Sequence, residues 1–566
     1  MAKEKQLVEC VPNFSEGRNP EVIHQITEAI SQCEGVKLLN VDPGEDTNRT
    51  VVTFVGEPSA VCDAALRAVK TACALIDMRQ HHGAHPRIGA TDVLPLVPVR
   101  GITLEECAEL ARRLAERIAD EAKIPCYCYE AAALKPERRN LSFCRRGEYE
   151  AIPEKLADPE RRPDYGYRPM DEGIARTGCT VVGARDFLIA VNFNLNTTST
   201  RRANAIAFDV REKGRPVREG NPITGPKKLD ADGNVVMRPG TLKGTKAIGW
   251  FIEEYGVAQV SMNITNMQQT PLHVAFEEVS RCARNRGLRV TGTEIVGLIP
   301  ERALLDAGRY FLKKQQRSVG IPKEDILQIA IKSMGLDELR PFDPQEKVIE
   351  YLLEKDADKP LTTMTIKGFA DETLRESTAP GGGSVAAYMG ALGASLGGMV
   401  ANLSAHKPGW DDRWEHFSDW AEQGAALQQE LLQLVDEDTA AFQRLMTVFR
   451  LPKGSDEERR KRAEAIEEAT LYAAQVPLRT MKVACRAFPL CRAMAEEGVP
   501  ASLSDAGVAA LAIRGAVLGA AMNVKINAKS LKDKQKAEAL IAEVEKLKAE
   551  ALAAEKDILN IVDNNL

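Results

Sequence analysis

Three of the chain's seven histidines lie in one short stretch, residues 80–99, with the sequence QHHGAHPRIGATDVLPLVPV. His81 and His85 are four residues apart, which on a helix is the spacing of a metal-binding pair. Pro86 argues against a helix because the residue before a proline is driven out of the helical region, and the glycines around it favour a loop. The stretch therefore predicts a histidine on an irregular loop, where an imidazole with a pKa of ~6.5 can act as a general base. Histidines that only cap turns and bind water are the alternative.

A carboxylate in the C-terminal part of the chain is the second candidate. Residues 430–449, ELLQLVDEDTAAFQRLMTVF, predict a helix. On that helix Asp438 has Leu434 one turn behind and Phe442 one turn ahead, so it lies on the apolar face. Burial there would raise its pKa and suit it to pass a proton in both directions. A structural aspartate that is hydrogen-bonded across a helical bundle explains the same pattern.

A glycine-rich segment precedes an Ala/Gly-rich helix pattern. Residues 377–384 have the sequence STAPGGGS. Glycines at a helix start expose backbone N–H groups that can hold an anion. No lysine follows the glycines, so this is not a nucleotide-binding P-loop. On the pattern alone a loop that caps the helix is favoured.

Composition excludes several classes of protein. A chain of 566 residues predicts several domains, and its net charge of −6 leaves no broad basic footprint for nucleic acid. No run approaches the ~18 uninterrupted apolar residues of a membrane span, and the first ten residues lack the apolar core of a signal peptide. The twelve cysteines contain no CxxC pair, which favours reduced thiols over a disulfide or zinc framework. We expect a cytoplasmic enzyme that binds neither nucleic acid nor membrane.

The elements around the histidine loop follow a recognisable order. Residues 7–129 alternate as strand, helix, strand, strand, helix, strand, with additions. This order predicts a ferredoxin-like sheet with helices on one face. The same topology recurs in residues 187–299 without a repeat of the sequence. Two long stretches, residues 149–180 and 212–240, are typical of functional or mobile loops.

Beyond the chain-breaking residues 341–344, strand patterns disappear and helical patterns dominate. The last helix has apolar residues at heptad spacing from Leu540 to Ile561, which predicts lengthwise packing on a partner helix of the same or a second chain. The predicted class is α+β. It has two ferredoxin-like (βαββαβ) subdomains at residues 1–180 and 181–335, a linker at 336–360, and an all-α helical-bundle domain at 361–566.

Several long motifs resemble one known family. The N-terminal half of glutamate formimidoyltransferase is similar to residues 7–17 (LVECVPNFSEG), 42–56 (DPGEDTNRTVVTFVG) and 85–101 (HPRIGATDVLPLVPVRG), and its second subdomain to residues 182–195 (VGARDFLIAVNFNL). Formimidoyltetrahydrofolate cyclodeaminase is similar to residues 378–387 (TAPGGGSVAA) and 434–442 (LVDEDTAAF). The resemblance covers nearly the whole chain, in the order of the fused bifunctional enzyme.

The resemblance implies two consecutive reactions of histidine degradation and one-carbon metabolism. The first transfers a formimidoyl group from N-formimidoyl-L-glutamate to N5 of tetrahydrofolate. The second cyclises 5-formimidoyltetrahydrofolate to 5,10-methenyltetrahydrofolate and releases ammonia. Tetrahydrofolate, free or polyglutamylated, is then a co-substrate. We expect no tightly bound cofactor, no metal, and a homo-oligomer built from dimers.

The resemblance also implies roles for individual residues. His85, in the HPR motif, is the implied proton carrier of the transferase, and Asp438, the second Asp of VDxD, that of the cyclodeaminase. The further candidates are substrate-binding residues: Asp42 for the amidinium charge, Arg49, Arg87 and Arg185 for carboxylates, Tyr165, Gly166 and Gly178 in the folate loop, and Gly381, Gly382, Gly383 and Ser384 before the Ala/Gly-rich helix. This chain departs from the family in the folate loop, YGYRPMDEGIARTG, and its 212–240 insertion is longer than in animal members.

Two other functions fit the sequence. The helical domain could be a methenyltetrahydrofolate cyclohydrolase, which has a similar glycine loop, fused to the same transferase. Ammonia release from the formimidoyl substrate distinguishes the two enzymes. Alternatively, both halves are folate-binding or assembly modules that bind tetrahydrofolate without turnover. The presence of both His85 and Asp438 argues against that alternative.

Overall fold

The computed structural model describes residues 6–45, 47–83, 86–221, 224–354, 361–377 and 379–566. It divides into two compact units that are interleaved along the chain. Unit 1 comprises Met1–Leu304 and Met334–Lys355, and unit 2 comprises Leu305–Ser333 and Asp356–Leu566. Residues 305–333 thus contact the helical part of the protein, although the sequence places them in the second subdomain. The predicted boundaries at residues 180, 335 and 360 stay predictions.

The first sheet of unit 1 has seven strands. Its elements in chain order are β1 (Leu7–Cys10), β2 (Asn13–Phe14), α1 (Pro20–Ser31), β3 (Val36–Gly44), β4 (Arg49–Gly56), α2 (Pro58–Leu75), β5 (Thr91–Arg100), α3 (Leu104–Arg117), β6 (Cys126–Glu130), α4 (Leu141–Cys144), α5 (Ile152–Ala157), α6 (Glu172–Thr177) and β7 (Thr180–Ala184). Strand β4 lies between β3 and β1, and β1 pairs with β5; these pairings are antiparallel. Strands β7 and β6 extend the sheet in parallel with β5. The order β5-β1-β4-β3 is the predicted ferredoxin-like order, and β2, β6 and β7 are added to it.

Neighbouring side chains of β5 pack into two different apolar cores, one on each face of this sheet. Leu94 and Leu96 of β5 pack with apolar residues of α1, α2 and α3. Val93, which points to the other face, packs with Tyr127 and with Ile152 of α5. Successive side chains of a strand point to opposite faces. The segment between β6 and β7, residues 131–179, which we call the crossover segment, therefore contributes residues to the core on the face away from α1, α2 and α3.

The sequence predicts turns at residues 13–17 (NFSEG) and 42–44 (DPG), and both are partly strand in the structure. Asn13 and Phe14 form β2, which pairs with β4 and β5. Asp42 pairs with Val51 inside β3, so the predicted turn at residues 42–44 is wrong. Within the described ranges β3 pairs only with β4, which makes it an edge strand of this sheet, and edge strands accommodate a proline such as Pro43.

The second sheet of unit 1 confirms the repeat of topology. Its elements are β8 (Ile189–Leu195), α7 (Thr200–Val210), β9 (Arg215–Pro216), β10 (Met237–Arg238), β11 (Thr245–Ile252), β12 (Val257–Ile264), α8 (Leu272–Arg284) and β13 (Val290–Val296). The strand order is β11-β12-β8-β13 with antiparallel neighbours, and β9 pairs with β10 at the base of the 212–240 insertion.

Helices make up the rest of the described chain. They are α9 (Glu301–Lys314), α10 (Lys323–Met334), α11 (Pro344–Lys347), α12 (Ile349–Glu354), α13 (Ile366–Leu374), α14 (Gly382–Ala405), α15 (Trp414–Val448), α16 (Asp456–Cys485), α17 (Phe488–Glu497), α18 (Leu503–Lys529) and α19 (Lys534–Asn565). Helix α14 packs closely on α15, since a Cβ added at Gly424 would lie 3.0 Å from Cα of Gly398. Helix α19 buries Leu540, Val544 and Ile558 against α16, α17 and α18, so its heptad partner is in the same chain.

Two helices are apolar and long enough to span a membrane by length and composition alone. They are Gly382–Ala405 and Pro500–Lys529, whose most apolar windows are 61% and 50% buried inside the protein. Alanine and glycine account for much of their hydropathy, and they contribute Ala387, Ala394 and Ile513 to the core of unit 2. Core helices of water-soluble bundles meet the same criterion, so these helices are weak evidence for a membrane.

Candidate active sites

Asn48 connects three loops of unit 1 that are far apart in the sequence. Its Oδ1 accepts a hydrogen bond from the backbone N–H of Gly17 (3.0 Å), and its Nδ2 donates to the carbonyl oxygen of His82 (2.9 Å). Its φ of +46° is a conformation that asparagine tolerates better than most residues. The loop after β2, the β3–β4 turn and the histidine loop therefore meet at one place. Asn48 and Gly17 belong to two motifs that carry the family resemblance, residues 42–56 and 7–17, and His82 precedes the third motif, residues 85–101.

Glycines allow the histidine loop to lie against neighbouring backbone. A Cβ added at Gly83 would be 2.3 Å from the carbonyl oxygen of Thr47. Gly89 and Gly178 form a β-bridge, and a Cβ at Gly178, whose φ is +69°, would be 2.3 Å from the carbonyl oxygen of Ile88. Only glycine permits such approaches. The structure thus places Gly178, a predicted site residue, beside the histidine loop.

His81 has both ring nitrogens bonded to protein. Its Nε2 is 2.9 Å from the carbonyl oxygen of Asn48, which can only accept, so Nε2 carries the proton and Nδ1 accepts from Nε of Arg87 at 3.4 Å. Burial lowers the pKa of His81 and favours this neutral form. His81 therefore supports the loop. His85 lies outside the described residues, and its catalytic role stays a prediction.

Arg87, predicted to clamp a substrate carboxylate, binds two carboxylates of the protein. Its guanidinium donates to both oxygens of Glu150 (2.9 and 2.7 Å) and to Glu148 (3.0 Å). These hydrogen bonds raise its pKa, Glu150 contributing most. Arg87 is 8% exposed. This geometry favours holding the histidine loop on the crossover segment over direct substrate binding.

A charged cluster that the sequence analysis missed lies next to this loop. Asp92, 1% exposed, binds the guanidinium of Arg145 with both oxygens and accepts from the backbone N–H of Ile88 at 3.0 Å. Burial raises its pKa against the opposing effects of Arg145 and Arg49. Burial and the charge of Arg145 lower the pKa of Arg49, and the exposed Asp42 acts in the opposite direction. Two predicted binding residues, Arg49 and Asp42, thus belong to one electrostatic cluster.

A second buried carboxyl in the first sheet involves the predicted residue Arg185. Glu9 on β1 is 4% exposed, and burial raises its pKa to about 7, with Arg185 lowering and Glu350 raising it. Arg185 also donates from Nη1 to the carbonyl oxygen of Asp186 at 3.0 Å. A lone carboxyl within the apolar run LVEC was the available signal for Glu9.

The predicted folate loop is divided between two places. Tyr165 exchanges both backbone hydrogen bonds with Cys126 of β6 (3.0 and 3.1 Å). Gly166 has a φ of +69°, and a Cβ there would be 2.8 Å from Cβ of Ala119. Among the described residues, neither one bonds the histidine loop, whereas Gly178 does pair with it.

The second sheet presents a polar network on the face opposite its helices. Nδ2 of Asn192 donates to Glu294 (2.9 Å), and Nε2 of Gln259 donates to Asn194 (2.8 Å) and to Glu294 (3.3 Å). Asn194 and Gln259 are fully buried. Nε1 of Trp250 donates to Gln259 at 2.9 Å. Alternating asparagines in VNFNL were the sequence signal for this network.

In unit 2, Asp438 faces the start of α14. Its Oδ2 accepts from the hydroxyl of Ser384 at 3.2 Å. Burial raises the pKa of Asp438, while the hydroxyl and the backbone N–H of Ser384 lower it. A Cβ added at Gly383 would be 2.2 Å from Oδ1 of Asp438, so glycine is required at that position. The structure thus brings together Asp438 and the predicted residues Gly383 and Ser384.

The neighbouring acidic residues of α15 have other partners. Asp436 accepts from the backbone N–H of Leu361 (2.6 Å) and the hydroxyl of Thr362 (2.9 Å). Glu437 accepts from the hydroxyl of Tyr472 at 2.5 Å and pairs with Arg479. Asp436 therefore connects α15 to residues 361–362, and Glu437 connects it to α16. Asp438 is the acid of this group that faces α14.

The sequence suggests residues 504–507 (SDAG) as a polar wall of this site or only as a helix cap, and in the structure a different residue lies beside the glycines. A Cβ added at Gly382 would be 3.3 Å from Nδ2 of Asn523 on α18, whereas one at Gly381 would meet no described atom within 4 Å. Residues 504–507, considered as a polar wall, begin 19 positions before Asn523 on the same helix, which is roughly 28 Å at 1.5 Å per residue. Asn523 occupies the place expected for them.

No group of three His, Cys, Asp or Glu side chains within the described ranges is arranged to hold a metal ion. All twelve cysteines fall in those ranges, where none is paired. Burial raises the pKa of most of their thiols, as for Cys128 to about 12.

Comparison with known proteins covers both units. Three family models match: "Formiminotransferase domain, N-terminal subdomain" at residues 7–185, "Formiminotransferase domain" at 190–354 and "Formiminotransferase-cyclodeaminase" at 365–546. Formimidoyltransferase-cyclodeaminase of Mus musculus is 42% identical over 93% of each chain. Glutamate formimidoyltransferase of Streptococcus pyogenes is 40% identical over 54% of this chain and 94% of its own. Methenyltetrahydrofolate cyclohydrolase of Methylorubrum extorquens is 37% identical over 36% of this chain and 97% of its own.

Proposed function

The chain belongs to the formimidoyltransferase-cyclodeaminase family, and from that premise we propose that its two units perform two consecutive reactions on one folate. It is a bifunctional enzyme. It transfers the formimidoyl group of N-formimidoyl-L-glutamate to tetrahydrofolate and cyclises the product to 5,10-methenyltetrahydrofolate with release of ammonia. The observation that carries the second reaction is the carboxylate of Asp438 held against the start of α14 by Ser384.

In the transferase reaction, N5 of tetrahydrofolate attacks the amidine carbon of formimidoyl-glutamate, and the C–N bond to glutamate breaks. The proton that leaves N5 must reach the departing glutamate nitrogen. We assign its transfer to His85, which in the sequence lies between His82, bonded by Asn48, and Arg87, bonded to Glu150. The cluster of Asp92, Arg145 and Arg49 supports binding of an anionic substrate group nearby, since guanidinium groups recognise carboxylates.

In the cyclodeaminase reaction, N10 attacks the formimidoyl carbon that N5 carries, and the C–N bond to the former imino nitrogen breaks. Asp438 accepts the proton that N10 loses and returns it to the departing nitrogen, which leaves as ammonia. Burial raises the pKa of Asp438 above that of an ordinary aspartate, which makes the carboxylate a better proton acceptor for this exchange. Ser384 orients the carboxylate through its hydroxyl.

The test uses two single variants of the full chain and two readouts. His85→Ala should lose glutamate release and keep cyclisation of supplied 5-formimidoyltetrahydrofolate. Asp438→Asn should keep glutamate release and lose ammonia release and methenyl absorbance. Losses of about 100-fold or more are expected for a group that moves a proton in the transition state. The controls are His24→Ala and Asp557→Asn, which change exposed residues of α1 and α19. Full activity of either test variant would refute its assignment.

A cyclohydrolase is the second candidate for the helical domain, because the similar Methylorubrum protein carries that name. The two activities differ in whether they release ammonia. A cyclohydrolase consumes methenyltetrahydrofolate and water without ammonia, whereas a cyclodeaminase forms methenyltetrahydrofolate from the formimidoyl compound. Feeding each substrate to the intact enzyme and measuring ammonia separates them.

A further inference from the structure

A small cavity of about 160 Å³ lies beside the crossover segment of unit 1. Four cationic and two aromatic side chains line it: Arg138, Arg146, Lys155, Arg161, Tyr127 and Phe143. None of these residues belongs to the proposed transferase or cyclodeaminase machinery. The cavity is too small for a pterin, since pockets for such ligands are usually about 300 Å³ or more.

Lys155 is a buried cation without a counter-charge. Its side chain is 3% exposed, and its Nζ donates to the carbonyl oxygen of Cys144 at 2.7 Å. Within the described residues no carboxylate pairs with it. Burial lowers its pKa to about 8, and the nearby charge of Arg161 acts in the same direction. An ammonium group has three N–H donors, so Lys155 retains donors for a ligand in the cavity.

The arginines add to this excess of positive charge. Arg138 pairs with Asp164 at 2.5 Å and donates to the carbonyl oxygen of Arg162 at 2.6 Å. For Arg146 and Arg161 no ion pair is found in the described part of the chain. Of the lining cations, Arg138 is paired with a carboxylate in the described part of the chain, whereas Lys155 is buried, Arg161 half-buried and Arg146 exposed. Buried charges are normally paired, so Lys155 is the cation whose environment calls for an anion.

Aromatic rings support two of the guanidinium groups. The guanidinium of Arg138 lies 5.1 Å from the ring centre of Tyr127, and that of Arg146 lies 5.1 Å from the ring centre of Phe143. Cation–π contacts of this kind hold a guanidinium in place without neutralising its charge. The donors of Arg146 thus remain available to an anion, whereas Arg138 is already bonded to Asp164 and to the carbonyl oxygen of Arg162.

We propose that this cavity binds a small oxyanion, a phosphate or carboxylate group, between Lys155, Arg146 and Arg161. Guanidinium groups match the geometry of both oxyanions, and the lysine adds a compact charge. The same crossover segment holds Arg87 through Glu148 and Glu150. A bound anion would therefore order the segment that supports the histidine loop.

The test measures anion binding to the full-length enzyme by calorimetry and by the rise in Tm. Inorganic phosphate and acetate are compared at constant ionic strength. The wild-type protein should bind at least one of them, and the Kd should be at least about tenfold higher in Lys155→Met, which removes the buried charge and keeps an apolar side chain. The double variant Arg146→Gln/Arg161→Gln should weaken binding as well and carries the test if Lys155→Met does not fold. Arg460→Gln, an exposed arginine of α16, is the control and should bind normally.

The outcomes separate the sources of the anion. Binding of phosphate alone identifies a phosphate group, and binding of acetate alone identifies a carboxylate. If wild-type protein shows neither heat nor a rise in Tm with either anion, the proposal is overturned. Equal affinity in wild type and in the folded variants would overturn it too, because the anion would then bind elsewhere.

Discussion

Glu9 shows how strongly one buried side chain changes its chemistry in this fold. Its carboxyl group lies in the centre of an apolar strand, and burial raises its pKa from 4.5 to about 7. In the unfolded chain the group ionises at its ordinary pKa. Because the folded-state pKa is the higher one, the unfolded state loses its proton first as the pH rises. Folding is therefore favoured below about pH 4.5 and loses that contribution as the pH rises to about 7.

We expect Glu9→Gln to remove this pH dependence. The pKa of Glu9 is about 2.5 higher in the folded protein than in the unfolded chain. Between pH 4.5 and pH 7 the free energy of unfolding of unit 1 should therefore fall by about 3 kcal/mol more in the wild-type protein than in the variant. Urea unfolding of both proteins at pH 5 and pH 8 measures the difference. Parallel pH dependences for the two proteins would contradict the prediction.

Single residues were predictable where a helix or a motif determined their environment. Asp438 was expected on an apolar helix face and is half-buried there against Ser384. Asp92 and Glu9 were missed because strand alternation does not show which charged residue a sheet will bury. The bonds of Arg87 to Glu148 and Glu150 were also missed, since they depend on how the crossover segment returns to the sheet.

At the scale of elements, the second site depends on how closely α14 approaches α15. Gly383, in the first turn of α14, leaves no room for a side chain beside the carboxylate of Asp438. The pair of helices and the acid are therefore positioned together. A change in the distance between the helices would move Asp438 away from Ser384.

Gly383→Ala should reduce the cyclodeaminase rate at least about tenfold and leave the transferase rate unchanged. The added methyl group would overlap Oδ1 of Asp438 at 2.2 Å, and the carboxylate would have to leave its position. Misplacing a catalytic group by about 1 Å is costly to the rate. Gly454→Ala, in the exposed loop before α16, is the control. Unchanged ammonia release in Gly383→Ala would contradict the expected geometry.

The order of elements was predictable to a large extent, and their ends were less so. An apolar run at β5 and alternating asparagines at β8 indicated strands of the two sheets, and the second sheet has the expected order. The sequence at residues 42–44 predicted a turn because Asp, Pro and Gly favour turns locally. Pairing of β3 with β4 overrides that preference. Such strand pairing joins residues from separate segments, so the local amino-acid composition does not predict it.

At the scale of the whole molecule, the helical unit incorporates residues that precede the last part of unit 1. The backbone N–H of Val319 donates to the hydroxyl of Ser418 at 3.1 Å, and Nδ2 of Asn402 donates to the carbonyl oxygen of Gly320 at 2.7 Å. A Cβ at Gly320 would be 2.1 Å from the carbonyl carbon of Ala421. The segment is thus packed directly against α14 and α15.

We expect Gly320→Ala to destabilise unit 2. The new methyl group overlaps backbone of α15, which cannot move as a flexible side chain can, and overpacking of this kind costs about 1–3 kcal/mol. The thermal midpoint of cyclodeaminase activity should fall, and that of transferase activity should stay constant. Gly454→Ala again serves as the comparison. Equal midpoints for both variants would show that unit 2 does not depend on this segment.

Because the two units are interleaved along the chain, residues 305–333 of unit 2 are synthesised before the helices of unit 2 that they contact. Val319 and its partner Ser418 are 99 residues apart, so at ~5–20 residues per second the earlier one waits about 5–20 s for its partner. During that delay Leu312, Val319 and Ile326, which form an apolar cluster, lack α14 and α15 as cover. These apolar side chains can therefore promote aggregation of the nascent chain until α14 and α15 have been synthesised. Lower growth temperature or more chaperone should improve soluble yield by protecting that interval.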